Sequence, residues 1–323
     1  MPSILKLNHF TNTHSCARHI KLAALTNTWN TVMSDISRAA LWMTGAIISF
    51  TSMAIAGRAV SVELDTFEIM LFRSVTGIVV VLTIATIAGT LSQLNCQQFS
   101  LHVKRNLAHF IGQNLWFFAL PLISLTQLFA LEFTSPIWVI LLAPFLLGER
   151  FSYISVLAAT FGFMGVMIVT QPFQTEISIG TFAAACAAIS FAFTAIFTRK
   201  LTRTQSITCI MFWLTVMQAA FGLIGAGCDG NIALPSAIVL PWVILIGFAG
   251  LLAHFCLTKA LSLAPINIVM PIDFIRLPVI AIVAAQIYDE QLDPWVFVGA
   301  VIIFGANYLN IWFGQKPSRP NDI

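Results

Sequence analysis

Charged side chains are scarce in this sequence: Asp, Glu, Lys and Arg make up only 9% of its 323 residues, whereas 58% are hydrophobic. A soluble domain carries about 25% charged residues. The mean hydropathy of +0.89 therefore indicates an integral membrane protein. Too little polar sequence remains to form a sizeable soluble domain.

Several functional motifs are also missing, and each absence argues against a class of function. The chain has no P-loop, HExxH or GxSxG motif, and its six cysteines lack metal-ligand spacing. The net charge of +3 is small and dispersed, unlike that of a protein that binds nucleic acid. We therefore expect no cofactor, no metal, no nucleic-acid partner and no enzymatic activity.

Apolar runs long enough to cross a bilayer fill most of the chain, since about 17–25 apolar residues span the hydrocarbon core as a helix. We count ten candidate spans, of which the third is short and polar on one side. The sequence therefore predicts an all-α integral membrane protein with ten transmembrane helices. The spans are approximately 40–57, 67–89, 106–121, 125–147, 152–171, 178–198, 207–227, 238–257, 264–287 and 294–314.

Lysine and arginine are distributed unequally between the two sides of the predicted spans. With a cytoplasmic N-terminus, thirteen of them, Arg105 included, fall in inner segments and only Arg58 falls outside, while Arg73 and Arg276 fall within spans. An excess of positive charge marks the cytoplasmic side. We therefore expect both termini in the cytoplasm.

The two ends of the chain are polar and lie outside the predicted spans. We interpret residues 1–38 as a cytoplasmic extension, with Met33 as an alternative start, because they contain no apolar core typical of a signal peptide. Residues 315–323 are predicted to form a short cytoplasmic tail.

The sequence repeats itself under one constant offset, the one that places Glu132 on Asp273. Under this offset the five spans of the first half align without a gap with those of the second. A constant offset of this kind indicates a duplicated unit. Because five is odd, the second unit enters the membrane from the opposite side, as in many secondary transporters. We therefore predict two inverted five-helix repeats, at residues 39–172 and 177–314.

Short patterns at the ends of the spans recur in both halves. They comprise Ala119, Leu120, Gly148, Glu149, Gly162 and Gly165 in the first half and Ala260, Leu261, Asp289, Glu290, Gly299 and Gly305 in the second. Together with the carboxylate-bearing fourth span, they resemble the EamA repeat of the drug/metabolite transporter superfamily, although Asp289 replaces the usual glycine. The resemblance implies a carrier of small metabolites in a bacterial-type inner membrane that works by alternating access.

Charged residues inside a membrane segment are costly unless they are paired or face a wet cavity. Glu132 and Arg73 have similar predicted depths, so we predict an ion pair between the second and fourth spans. Asp273 and Arg276 are three residues apart on one helix, which predicts a second pair. Prolines interrupt both the fourth and ninth spans, and broken segments at corresponding positions of two repeats indicate a binding site. Each pair is either a substrate or coupling site or a static link between helices.

The third span adds polar residues at helical spacing, and this stripe should face water or other helices instead of lipid. His254 in the second half aligns with Gln113. Because imidazole titrates near neutrality, His109 and His254 are candidates for a proton relay, with a packing role as the alternative. The candidate residues for substrate binding or coupling are Glu132, Arg73, Asp273, Arg276, Gln113, Asn114, Trp116 and His254.

We expect a secondary transporter of a small metabolite, with proton coupling left open and export preferred to uptake. Two arginines and two carboxylates within the spans suit a zwitterionic or amphiphilic substrate such as an amino acid or a related compound. The alternative is an uptake permease for a metabolite such as S-adenosylmethionine or a flavin, and an intramembrane enzyme or a scaffold is less favoured. The expected partners are the substrate, the lipid bilayer and, with coupling, protons; the chain is a monomer or a homodimer.

Overall fold

A computed structural model describes residues 10–147, 153–171, 178–228, 230–291 and 293–313. Within these ranges the chain is helical and has no β-strand, as the sequence predicts. Short 3₁₀ turns occur at Leu91–Gln93 and Asp273–Ile275. The α-helices are α1 (Phe10–Val60), α2 (Thr66–Ile87), α3 (Phe99–Ala119), α4 (Leu125–Glu132), α5 (Ser135–Leu147), α6 (Tyr153–Thr170), α7 (Ile179–Leu201), α8 (Ile207–Ala226), α9 (Leu240–Leu263), α10 (Ile266–Ile272), α11 (Arg276–Tyr288) and α12 (Pro294–Phe313).

The first helix extends well beyond the first predicted span. It begins at Phe10, and its N-terminal half contains neither proline nor glycine, the residues that break helices most strongly. Only the part Asp35–Val60 combines the length and hydropathy of a membrane span.

Seven helical segments of the described chain are long and apolar enough to cross a bilayer, and two shorter apolar ones lie at Val156–Val169 and Pro294–Ala306. The third predicted span corresponds to α3, which is too polar to meet the same criterion. The ten-span topology therefore stays a prediction.

Two of the predicted spans are broken helices. The fourth consists of α4 and α5, interrupted after Glu132, and the ninth consists of α10 and α11, joined by the 3₁₀ turn that begins at Asp273. Proline causes such breaks because it lacks an N–H and clashes with the carbonyl four residues earlier. Pro136 follows Glu132 by four residues, which accounts for the first break. Gly148 and Glu149, which end the predicted fourth span, lie outside the described residues.

The most extensive helix contacts join the first half of the chain to the second. Helix α1 packs on α9, α3 on α7, α2 on α8 and α6 on α12. Glycines allow α6 and α12 to approach each other closely: a Cβ at Gly165 would lie 2.8 Å from the carbonyl oxygen of Gly299. A continuous hydrophobic core extends through both halves. The halves therefore form one packed body, with polar side chains enclosed between them.

Candidate functional site

Helix α3 carries four buried side chains on one face. Arg105, His109, Gln113 and Trp116 follow one another at intervals of three or four residues, the spacing of a single helix face. They are at most 3% exposed. Arg105, which the sequence places in an inner segment before the third span, belongs to α3, because this helix already begins at Phe99. Its helical spacing with His109 and Gln113 is the sequence signal that identifies it.

Two carboxylates, one from each half of the chain, meet at a single arginine. Nη2 of Arg276 donates to Glu132 Oε1 and to Asp273 Oδ2, both at 2.6 Å. The predicted pair of Asp273 with Arg276 is confirmed. The predicted pair of Glu132 with Arg73 is wrong, because the break after α4 leaves Glu132 beside the first residue of α11. We call Glu132, Asp273 and Arg276 the acidic cluster, since its formal charge is −1.

Aromatic rings surround the acidic cluster. The ring centroids around Cζ of Arg276, at 4.8 to 5.1 Å, belong to Phe50, Phe129 and Phe133. A guanidinium at this distance from an aromatic face is attracted by the ring quadrupole. Trp116 Nε1 donates to Glu132 Oε2 at 2.7 Å, so both oxygens of this carboxylate are bonded. The cluster is therefore held in place by helices from both halves.

Two other arginines are buried without a carboxylate partner among the residues that the structure describes. Arg105 donates from Nε to Thr198 Oγ1 at 3.1 Å and from Nη1 to Asn106 Oδ1 at 2.7 Å. Arg73 donates to Gln113 Oε1. Neither arginine takes part in an ion pair within the described parts of the chain. We call Arg73 and Arg105 the basic pair; leaving a charge buried and uncompensated typically costs about 3–5 kcal/mol.

A glycine on α9 makes room for one member of the basic pair. A Cβ at Gly250 would lie 2.6 Å from Nη2 of Arg73 and 3.1 Å from its Cζ. Any larger side chain there would displace the guanidinium from Gln113. The position of Arg73 therefore depends on a residue of the second half.

Histidines from the two halves form a hydrogen bond with each other. Nε2 of His109 and Nε2 of His254 are 2.8 Å apart, so one ring donates and the other accepts. The ring of Phe50 packs edge-on against His254, with the centroids 5.5 Å apart. Both histidines are at most 5% exposed. A proton on this bond lies at the contact between α3 and α9.

These groups line one cavity between the two halves, with a volume of about 60 Å³. Arg105 and Ser135 also line it, and neither is a predicted site residue. Arg73 is one hydrogen bond away, through Gln113. Asn114 does not line the cavity, and its Nδ2 donates to Phe110 O of its own helix at 2.8 Å. The predicted site residues that line it are Gln113, Trp116, Glu132, His254, Asp273 and Arg276.

Some polar atoms of the lining residues have no hydrogen-bond partner within the described protein. They are His109 Nδ1, Ser135 Oγ, Asp273 Oδ1 and Arg276 Nε. Buried polar atoms are normally paired, so these atoms are available to a polar ligand or to water. The described residues contain no group of three or more His, Cys, Asp or Glu side chains that could hold a metal ion. The arrangement suits recognition by charge, hydrogen bonds and aromatic contact.

Equivalent arginines of the two halves make the same contact near the helix ends. Arg58 donates to the carbonyl of Leu120, and Arg199, its counterpart in the repeat, donates to the carbonyl of Leu261. Arg58 also pairs with Glu290 at 2.9 Å. These contacts tie the ends of neighbouring helices together outside the cavity.

The fold and the cavity define a polytopic helical membrane protein with a charged site between two halves, which is the architecture of a membrane transporter. The sequence profile described as the EamA-like transporter family matches residues 37–171 and 178–312. The chain therefore belongs to the EamA-like transporter family. The two matched ranges are related by the same offset that aligns Glu132 with Asp273, both at their first residues and at their last.

Two relatives whose names include a substrate align with this chain over most of its length and most of their own. The chain is 26% identical over 276 residues to a protein of Rickettsia bellii named S-adenosylmethionine uptake transporter, covering 85% of this chain and 94% of the relative. It is also 26% identical over 291 residues to a protein of Vibrio cholerae named riboflavin transporter, covering 88% of this chain and 96% of the relative. At this level of identity both are distant relatives.

A solved crystal structure has a similar fold. It superimposes with a TM-score of 0.71 at 17% sequence identity and covers 86% of this chain and 98% of its own. The likeness concerns the fold alone.

Proposed function

We propose that this protein is a secondary transporter that moves a small metabolite across a bacterial inner membrane by alternating access. The observation that carries the proposal is the cavity in which the acidic cluster joins the two halves of the chain. Ionisable groups inside the membrane are expensive, and they commonly mark a substrate or ion path. Membership of a transporter family supports the same function.

The proposal includes ten transmembrane helices in two inverted repeats, with both termini in the cytoplasm. The helix contacts support this arrangement. Exchanging the two halves converts the α1–α9 contact into the α7–α3 contact, and it maps α2–α8 and α6–α12 onto themselves. A twofold axis between two halves produces such a pattern. When this axis lies in the membrane plane, the two units have opposite topologies.

Transport by this route requires a change of conformation. A cavity of about 60 Å³ holds only a few water molecules, whereas pockets for small molecules measure about 300–1,000 Å³. The halves must therefore separate on one side of the membrane and then on the other. The breaks beside Glu132 and Asp273 interrupt the helical hydrogen bonds and are the natural hinge positions.

The substrate we propose is zwitterionic or amphiphilic, because charges of both signs surround the cavity. S-adenosylmethionine, with a carboxylate, an ammonium and a sulfonium group, is the first compound to test, and riboflavin is the second. We propose uptake in preference to export, because the rickettsial relatives are named uptake transporters. Coupling to protons through His109 and His254 is part of the proposal, since their shared hydrogen bond connects the two halves.

The test is transport by the purified full chain in proteoliposomes. Labelled S-adenosylmethionine or riboflavin is supplied outside the vesicles to measure uptake, and vesicles loaded with it measure export. We expect saturable flux of one compound and its loss in Glu132→Gln, which removes the charge and keeps the shape. The matched control is Asp289→Asn, because Asp289 is exposed and outside the cavity. Full flux in Glu132→Gln would contradict the proposal.

A further inference from the structure

We propose that Arg105 binds an anionic group of the substrate, a carboxylate or a phosphate, at the end of the cavity away from the acidic cluster. This assignment rests on the proposed function and specifies the chemistry of the transported compound. It gives a role to an arginine that lines the cavity and has no counter-ion among the described residues.

The charges of the cavity are separated in space. Arg276 has two carboxylates bonded to one of its nitrogens, which leaves the acidic cluster with an excess of one negative charge. Neither Arg105 nor Arg73 has a carboxylate partner among the described residues, so the basic pair has an excess of two positive charges. An uncompensated cation inside a protein is strongly unfavourable. An anionic group of the ligand would supply the missing charge.

The spacing along α3 separates the two charged regions. Arg105 and Trp116 are eleven residues apart on this helix, a rise of about 16 Å. Trp116 bonds the acidic cluster through Glu132, and His109 and Gln113 lie between the two ends. One wall of the cavity therefore changes from basic to acidic along its length.

A purely structural role, in which Arg105 only links two helices, does not explain why this residue is charged. Its two hydrogen bonds go to neutral side chains, Thr198 on α7 and Asn106 on α3. A neutral donor such as glutamine could link α3 to α7 without burying a charge, and at lower cost. A planar guanidinium whose remaining N–H groups can still donate is well suited to a carboxylate or phosphate, which it binds through two parallel hydrogen bonds.

The charge pattern selects a class of substrate. The compound has an anionic group at one end and a cationic or aromatic group at the other, which meets the acidic cluster and its rings. S-adenosylmethionine satisfies both requirements, whereas decarboxylated S-adenosylmethionine satisfies only the second. Riboflavin has no anionic group, and flavin mononucleotide adds a phosphate to it.

The first measurement is the thermal stability of the ligand-free protein in detergent. If the charge of Arg105 is compensated only by a ligand anion, Arg105→Gln should leave the midpoint temperature unchanged or raise it, because the substitution removes an uncompensated charge. Arg276→Gln is the matched comparison, because Arg276 forms ion pairs with two carboxylates, and it should lower the midpoint. A fall in Arg105→Gln as large as that in Arg276→Gln would assign Arg105 to structure and overturn the proposal.

The second measurement is the binding of ligand pairs that differ only in the anionic group. The pairs are S-adenosylmethionine with its decarboxylated form, and flavin mononucleotide with riboflavin. We expect the anionic member of at least one pair to bind wild type more tightly. In Arg105→Gln its affinity should fall about 10–100-fold, the effect of one charge-assisted contact, while the other member changes less than about 3-fold. Arg105→Lys should recover part of the loss, since it restores the charge without the fork.

The outcomes separate the subsite from the transport function. Equal binding of both members of each pair to wild type, or an equal loss for both in Arg105→Gln, would overturn the subsite even if the protein transports. A preference for the anionic member that depends on Arg105, without flux in proteoliposomes, would support the subsite and contradict the transport proposal. A carboxylate preference and a phosphate preference are distinguished by which pair responds.

Discussion

The two broken helices have the same backbone plan and different chemistry. In the first half the break follows Glu132, and in the second the equivalent position is Asp273. Three residues beyond each carboxylate, the first half has Ser135 and the second has Arg276. Both of these residues line the cavity. The duplication has therefore kept the break and the acid but placed the arginine in only one copy.

This difference makes the first half depend on the second. Asp273 is paired within its own copy, whereas Glu132 reaches across to Arg276. The bond from Glu132 is thus the one that must stretch or break if the halves move apart. The asymmetry also leaves Ser135 Oγ without a partner in the described protein, at the place where the other copy carries its cation.

The largest effect is expected from removing the shared cation. Arg276→Gln leaves two carboxylates of like charge close together in the interior, with no counter-ion between them. Breaking a buried ion pair in this way typically costs about 3–5 kcal/mol. We expect a clear fall in the unfolding midpoint and loss of transport, measured by thermal denaturation and by proteoliposome flux.

Arg276→Lys is the control for this prediction, because it keeps the charge while losing the planar fork. It should recover most of the stability. If Arg276→Gln proved as stable as wild type, the two carboxylates would not be held by this arginine, and the comparison between the two copies would lose its basis.

The next effect compares the two acids directly. Because the acidic cluster has an excess negative charge, either Glu132→Gln or Asp273→Asn leaves a neutral pair, and we expect each to change stability by less than about 1 kcal/mol. Transport should differ: Glu132→Gln removes the ionic link between the halves and should abolish flux, whereas Asp273→Asn keeps it and should reduce flux about 10-fold. Equal flux in the two variants would show that the link between halves does not matter.

Much of this comparison follows from the sequence. The constant offset between the copies, the carboxylates Glu132 and Asp273 and the prolines near them are all visible there, because a duplicated unit keeps its spacing and proline acts locally. The pair of Asp273 with Arg276 is also predictable, since residues three apart on a helix share a face. The family assignment rests on the same local patterns.

The partners across helices were harder to predict. Similar depth made Arg73 a reasonable partner for Glu132, but depth does not determine which helix faces are in contact, and Arg73 in fact bonds Gln113. The place of Arg105 in the cavity is difficult to predict because Lys104 precedes it, and two adjacent basic residues are typical of a cytoplasmic loop. Which face of α3 turns inward depends on how it packs on α7 and on the small residues there, and this is a property of the whole fold.

The smallest effect is expected at the serine that replaces arginine in the first copy. Ser135 is 3% exposed, so Ser135→Ala removes a buried hydroxyl that has no protein partner and should leave stability unchanged within about 0.5 kcal/mol or raise it slightly. If the hydroxyl contacts the transported compound, the KM for transport should rise about 3- to 10-fold, the effect of one neutral hydrogen bond. Thr134→Ala is the neighbouring control, because Thr134 Oγ1 already bonds the carbonyl of Leu131 at 2.8 Å and should not alter KM. An unchanged KM in Ser135→Ala would mean that the hydroxyl of Ser135 does not contact the transported compound, and the asymmetry between the copies at this position would then extend from charge to substrate binding.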